Sequence, residues 1–208
     1  RKLLDERRRH PTDDLMSLFL TGNEAGELSP DEICGQCVLL LVAGHVTTID
    51  QLANAVHALV THGDQWQRLQ QAPELLPTAI EEILRFDAAV PFVTRAAKQE
   101  VTLGGRTIRA GQLVYLALLA ANHDPAVFTD PHRFDILRDR QEIDKHLAFG
   151  QGPHVCLGGN LARLELEVAL STLLKRFRHL RLDPAQPPIR NCQSLTFRGF
   201  RSLHVQWE

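Results

Sequence analysis

The 208-residue chain is 44% hydrophobic and 23% charged, with a formal net charge of -2 at pH 7. That ordinary globular balance allows a buried core and excludes the strongly basic character of a general nucleic-acid or anionic-membrane binder. The longest apolar run, Val38 to Gly44, is too short to cross a bilayer, and the charged opening has no apolar stretch behind it, unlike a signal peptide.

In chain order, Arg1 to Arg9 is charged and helix-like, and without an initiating Met it reads as the middle of a longer protein. Asp13 and Asp14 followed by Leu15, Leu18 and Phe19 predict a short helix ending near Gly22, then a polar loop to Leu28. Ser29-Pro30-Asp31-Glu32 is a helix start, with Ser as N-cap, Pro at the first helical position and Glu closing a capping box. No proline follows until Pro73, which predicts one helix from Pro30 to about Thr61, with Gly63 as its C′ residue. At 1.5 Å per residue such a helix is about 48 Å long. Being apolar on most sides near Val38 to Val42, it is expected to be central and buried.

Asp64 to Gln71 and Pro77 to Phe86 predict two more helices. Between Val93 and Tyr115, β-branched residues with Gly104-Gly105 and Ala110-Gly111 predict short antiparallel strands joined by tight turns. Leu116 to Asn122 is helix-prone, Pro125 to Asp144 irregular, and a helix is expected from about Asn160 to Phe177. Leu182 to Glu208 reads as loops and strands, including Ser202 to Trp207. The whole, residues 1–208, is mainly α with small antiparallel β sections.

The richest segment is Phe149-Gly150-Gln151-Gly152-Pro153-His154-Val155-Cys156-Leu157-Gly158-Gly159. Its glycines let backbone approach a flat object closely. Cys156 stands just before a helix N-terminus, where free N–H groups and the helix dipole favour a thiolate, hence a nucleophile or metal ligand. The alternative is an inert cysteine in a turn.

This segment resembles the ligand loop of the cytochrome P-450 family: Phe, Gly, any, Gly, any, His or Arg, any, Cys, any, Gly. Leu161-Ala162-Arg163-Leu164-Glu165 extends the resemblance into the following helix. Glu82-Ile83-Leu84-Arg85 resembles the family's Glu-x-x-Arg pair, which shares one helix face. Pro131-His132-Arg133-Phe134 resembles the segment that adds Arg133 to a buried Glu82–Arg85–Arg133 cluster. Thr94-Arg95 resembles the strand whose Arg meets a haem propionate, and Phe197-Arg198-Gly199-Phe200 with Val205-Gln206-Trp207 resembles the family's C-terminus. Ala43-Gly44-His45-Val46-Thr47-Thr48 resembles the oxygen-binding segment of the central helix. One departure stands out: Val46 occupies a position where the family usually has Asp or Glu, which helps relay protons.

The resemblance implies the C-terminal half of a P-450-like fold carrying haem b (iron protoporphyrin IX), with Cys156 as the iron ligand. Arg95 and His154 would meet the propionates, Phe149, Gly150 and Gly158 would shape the ligand loop, and Ala43 and Gly44 would let the helix pass the haem face. Thr47 would hydrogen-bond dioxygen there and order its protons. The implied function is a monooxygenase acting on a small organic substrate, with a ferredoxin or flavin electron donor and no nucleic-acid or membrane partner. Alternatives are a peroxide-using or nitrogen-oxide-reducing variant, or a P-450-like auxiliary protein supporting another enzyme. Family members are roughly twice this length, so a complementary N-terminal half or second chain is expected. Cysteines at 34, 37, 156 and 192 are too sparse for a disulfide framework, which points to the cytoplasm, and Cys34 and Cys37 are read as two buried helix thiols rather than a zinc or redox site.

Overall fold

The computed structural model describes residues 1–23, 26–193 and 196–208. It divides into two compact units, Arg1–Val46 and Thr47–Glu208, with the division falling inside the longest helix.

The first unit holds α1 (Lys2–Arg9), α2 (Leu15–Gly22) and the opening of α3 (Pro30–Thr61). Each helix starts where its sequence says it should. The Asp14 carboxylate accepts the Ser17 N–H at 2.8 Å and caps α2. At α3 the capping box closes in both directions: Glu32 Oε2 accepts from the Ser29 N–H at 2.7 Å, and Ser29 Oγ accepts from the Glu32 N–H at 3.3 Å.

The expectation of a fully buried α3 is overturned over its first half. Val38, Leu39, Leu41 and Val42 are 55%, 58%, 72% and 48% exposed. Apolar composition states what a helix face prefers; burial also needs an element to cover it, and among the described residues none covers this face. Cys34 and Cys37 are likewise half-buried, not buried. One stretch of α3 is long and apolar enough to cross a membrane by length and composition. Its second half carries buried polar side chains with protein partners. Gln51 and Asn54 are buried there and both donate to the Asp87 carbonyl, at 3.2 and 3.1 Å, whereas lipid leaves such groups unpaired.

The second unit packs the end of α3 with α4 (Gly63–Gln71), α5 (Leu76–Phe86) and α8 (Gly159–Arg176) around one core. Ala55, Ala58 and Leu59 of α3, Ile80, Ile83 and Leu84 of α5, and Leu166 and Leu170 of α8 meet there, each set at the i, i+3, i+4 spacing that puts side chains on one helix face. Gly63 does not serve as a left-handed C′ residue. It opens α4 directly, because His62 turns the chain while its N–H still bonds the Ala58 carbonyl at 3.1 Å. Short helices α6 (Leu118–Ala121) and α7 (Arg140–Ile143) punctuate the irregular stretch.

The sheets are small antiparallel pairs: β1 (Val93–Ala96) with β4 (Leu113–Leu116), β2 (Val101–Leu103) with β3 (Arg106–Ile108), β5 (Leu180–Leu182) with β8 (Val205–Trp207), and β6 (Ile189–Arg190) with β7 (Phe200–Ser202). Gly104 and Gly105 both take positive φ, 54° and 74°, the two-residue hairpin geometry their pairing predicts.

Glu82 and Arg85 of α5 are fully buried and paired in a fork: Nε donates to Oε2 at 2.7 Å and Nη2 to Oε1 at 2.9 Å. The third cation is not Arg133, whose side chain is 66% exposed and lies 3.5 Å from Asp135. It is Arg138, 5% exposed, whose Nε donates to Glu82 Oε2 at 3.1 Å. Arg133 contributes its carbonyl, which accepts from Arg85 and Arg138 at 3.2 and 2.9 Å. The chain passes the cluster backbone-first at Arg133 and returns a side chain to it five residues later.

Losing one partner of a buried ion pair costs about 3–5 kcal/mol, while an exposed substitution shifts stability by about 0.5 kcal/mol or less. Urea denaturation should therefore show Arg138→Ala severely destabilised and Arg133→Ala near the parent. The reverse order would put Arg133 back in the cluster.

Candidate functional site

The segment from Phe149 to Gly159 is a chain of tight turns. Gly150 and Gly152 take φ of 70° and 87°, a left-handed conformation that side chains with a Cβ rarely accept. Those turns are locked by backbone bonds: Gly150 N–H to the Leu147 carbonyl at 2.9 Å, Val155 N–H to Gly152 at 3.0 Å, and Cys156 N–H to Phe149 at 3.0 Å. The last bond folds the loop back on itself and sets Cys156 three residues before α8. That helix starts at a Gly158 N-cap with no side-chain cap, which places the cysteine just ahead of a helix N-terminus.

Cys156 is exposed and free, and the apolar residues close to it in sequence, Val155, Leu157, Leu161 and Leu164, are exposed too, Leu157 at 89%. A Cβ on Gly158 would meet Cys156 Sγ at 4.0 Å, an ordinary van der Waals contact, so Gly158 lies beside the sulfur. Among the described residues no group of three or more His, Cys, Asp or Glu side chains converges as a metal site. A metal held through this one soft donor would need its remaining ligands from elsewhere, as a porphyrin provides. An exposed thiol on an open apolar platform fits a haem.

Phe149, Gly150, His154, Cys156 and Gly158 stand together on this loop, with His154 exposed. Arg95 lies on β1, also exposed, with Nη1 donating to the Thr94 carbonyl at 2.9 Å. Thr47 is half-buried on α3 in the second unit. Its neighbour Thr48 donates to Glu165 Oε2 at 3.1 Å, which ties that part of α3 to the helix that follows Cys156. Ala43 and Gly44 belong to the first unit and are exposed on α3.

Three residues that sequence reasoning gave no role support the loop from behind. Glu81, next to the clustered Glu82 on α5, is buried. Arg163 of α8 grips it with a fork, Nε to Oε1 at 2.6 Å and Nη2 to Oε2 at 3.0 Å. His146 Nε2 lies 2.8 Å from Oε2. Because His146 Nδ1 accepts the Ala148 N–H at 3.2 Å, the ring proton facing Glu81 sits on Nε2. The Arg163 guanidinium also stacks 4.6 Å over the Phe149 ring. The sequence held half a signal: Arg163 lies in the Leu161–Glu165 stretch, but its partner is 82 residues away.

Burial would raise the Glu81 carboxyl, but hydrogen bonds from His146 and Arg163, with the guanidinium's charge, outweigh it and lower its pKa from 4.5 to about 2. A carboxyl depressed on folding adds stability above its unfolded pKa, and that contribution fades as pH falls through the folded one. The stability gap between the parent and Glu81→Gln should thus be constant from about pH 7 to 5 and close between about pH 4.5 and 2. A gap indifferent to acid in urea titrations would mean that the carboxylate is not held this way.

The sequence pattern of the family described as Cytochrome P450 matches residues 1–200. The chain is 43% identical over its full length to the biotin biosynthesis cytochrome P450 of Bacillus subtilis (strain 168), covering 51% of that protein. It is 43% identical to the nocardicin C N-oxygenase of Nocardia uniformis subsp. tsuyamanensis, with 99% of this chain and 52% of that one covered. In structure it matches a P450 crystallised with a hexadec-9Z-enoic acid-ligated acyl carrier protein, at a TM-score of 0.92 and 40% identity, over 100% of this chain and 52% of that one. CalO2 matches at a TM-score of 0.93 and 36% identity, over 100% of this chain and 51% of that one. The chain thus spans about half the length of the relatives it matches. With that sequence pattern and that fold, it belongs to the cytochrome P450 family.

Proposed function

We propose that the chain is the haem-binding part of a P450-type monooxygenase that inserts one oxygen atom of dioxygen into a small organic substrate. The observation that carries this reading is the exposed Cys156 thiol, delivered by two left-handed glycine turns to an apolar platform at a helix N-terminus. Relatives named as an N-oxygenase and a 6-deoxyerythronolide B hydroxylase support the reaction class.

The family implies a haem, and we take it to be haem b. When bound, it supplies the dioxygen-cleaving chemistry that a thiolate ligand favours. Cys156 is the protein's ligand, Gly150, Gly152 and Gly158 keep backbone and side chains clear of the macrocycle, and Phe149 backs the loop. Arg95 and His154 are donors suited to the propionates. Ala43 and Gly44 present minimal bulk on α3. The Thr47 hydroxyl holds a proton for transfer. Electrons come from a ferredoxin or flavin partner, and the remaining cover of the site from a complementary N-terminal half or second chain. The free, sparse thiols suit the cytoplasm.

Cys156→Ala should abolish the thiolate Soret band of the reduced, carbon monoxide-treated protein, whereas Cys34→Ala and Cys37→Ala should keep it. A thiolate band surviving in Cys156→Ala would remove the assignment.

Val46 favours a particular weakness. A valine has no proton to relay, so coupling of reduced cofactor to product should be poor in the haem-loaded protein, and added peroxide should partly bypass the defect. A well-placed acid contributes about 10²–10⁴-fold, so Val46→Glu should raise product formed per cofactor consumed. Tight coupling in the parent, with no gain from the acid, would make Val46 a packing residue.

A further inference from the structure

Three of the buried carboxylates among the described residues are paired with arginines: Glu81 with Arg163, Glu82 with Arg85 and Arg138, and Asp87 with Arg190 and Arg198. Asp50 of α3 is different. It is 9% exposed, and among the described residues no hydrogen bond or ion pair reaches its carboxyl. Its Oδ1 lies against Gly199, where a Cβ would fall 1.9 Å from it. Arg190 and Arg198, the cations of the adjoining C-terminal segment, are both taken by Asp87. Burial raises the Asp50 pKa, with no charged neighbour among the causes. A carboxyl withdrawn from water without a partner is costly when ionised, and an asparagine would fill the same space without that cost. Groups perturbed in this way gather at functional sites.

Asp50 follows Thr47 by three residues on α3, and both belong to the second unit. Residues three apart share a helix face, with Cβ atoms about 5–6 Å from each other. That separation suits a carboxyl and a hydroxyl that meet directly or through one water.

We propose that Asp50 stores the proton that Thr47 passes on, in place of the acid absent at Val46. The proposal rests on the monooxygenase reading above. The Asp50 carboxyl gives its proton to the Thr47 hydroxyl as that hydroxyl releases its own towards dioxygen, whose electrons come from the ferredoxin or flavin donor. The Asp50 carboxylate then takes a proton from water at its exposed edge, and no electron passes through either side chain. Asp50 is a positioning residue that acts through Thr47. A donor working through a second side chain leaves coupling low rather than nil, in keeping with the weakness assigned to Val46.

Asp50→Asn separates a stored proton from a structural contact by the sign of its effect on stability. A carboxyl whose pKa is raised on folding lowers stability as pH rises above its unfolded value of about 3.9. In urea titrations Asp50→Asn should therefore be more stable than the parent at pH 7 and converge on it as pH falls to about 4. An Asp50→Asn protein that is less stable at pH 7, or unfolded, would mean that the ionised carboxylate is held by the fold, and overturns the proposal.

In haem-loaded protein, Asp50→Asn should lower product formed per reduced cofactor by roughly tenfold, less than the 10²–10⁴-fold typical of a well-placed acid. Turnover driven by peroxide, which brings its own protons, should fall much less. Adding Val46→Glu to Asp50→Asn should restore coupling, and adding Asp50→Asn to Thr47→Ala should cause no further loss, because residues that act as a unit are not additive. Equal losses with both oxidants, or a further loss on top of Thr47→Ala, overturn the proposal. A parent that forms product with neither oxidant would instead overturn the monooxygenase reading, and the stability order would still judge whether Asp50 holds a proton.

Discussion

Two adjacent buried carboxylates on α5 hold the second unit together, and they face different tasks. Glu82 takes Arg85 and Arg138 and accepts the Asp135 N–H at 2.9 Å. Glu81 takes Arg163 and His146. Successive helical residues point about 100° apart, so one short helix addresses two partners: the irregular segment before α7 on one side, and α8 with the cysteine loop on the other. The local geometry of the loop is set by its own glycines and turns. Its position relative to the core is set by Glu81.

Buried ions are costly, and a buried salt bridge is weak evidence of net stability, because apolar residues of the same size often do as well. What such groups provide here is direction. Arg85 satisfies its donors on Glu82 and on the carbonyls of Asn122, Pro131 and Arg133, so an irregular stretch without strands or long helices is placed by one side chain. The C-terminal segment is pinned by the same device. Asp87 accepts from Arg190 and Arg198, and Asn54 of α3 accepts from Arg190 at 2.7 Å while donating to the Arg198 carbonyl at 2.8 Å. Gly199 then passes so near Asp50 that a Cβ there would fall 1.9 Å from the carboxylate oxygen, which explains a glycine at that position.

Local features were legible in the sequence because their causes are local. The Ser29 capping box and the Gly104-Gly105 pair each dictate geometry within four residues, and α3 and the β2–β3 hairpin follow. The loop motif was legible because Gly150 and Gly152 take the left-handed conformation that favours glycine. Arg138 was not: its place in the cluster depends on where the backbone turns after Arg133, and the neighbouring motif drew attention to the wrong arginine. The Glu81 network was hidden for the same reason, since it joins residues 65 and 82 positions apart. The exposure of Val38 to Val42 was illegible in a different sense. Composition gave the preference of that face correctly, but cover is a property of whatever packs on it.

This contrast separates two halves of the proposed chemistry. Everything that presents Cys156, from the glycine turns to the Arg163–Glu81 fork behind Phe149, lies within the second unit. Ala43, Gly44 and the half-buried Val46 lie in the first unit, just after the exposed apolar run Val38, Leu39, Leu41 and Val42 of α3. On the proposed reading, ligation by Cys156 thus rests on elements of the second unit, whereas the chemistry proposed for α3 involves a helix surface that is exposed. If that reading holds, a substitution behind the loop should act on the Cys156 sulfur regardless of what covers α3, while any effect of Val46 on proton delivery would depend on the water admitted to that surface. On that reading, cover on α3 would itself shape proton delivery, because a valine shut off from solvent would exclude the water that otherwise replaces the missing acid.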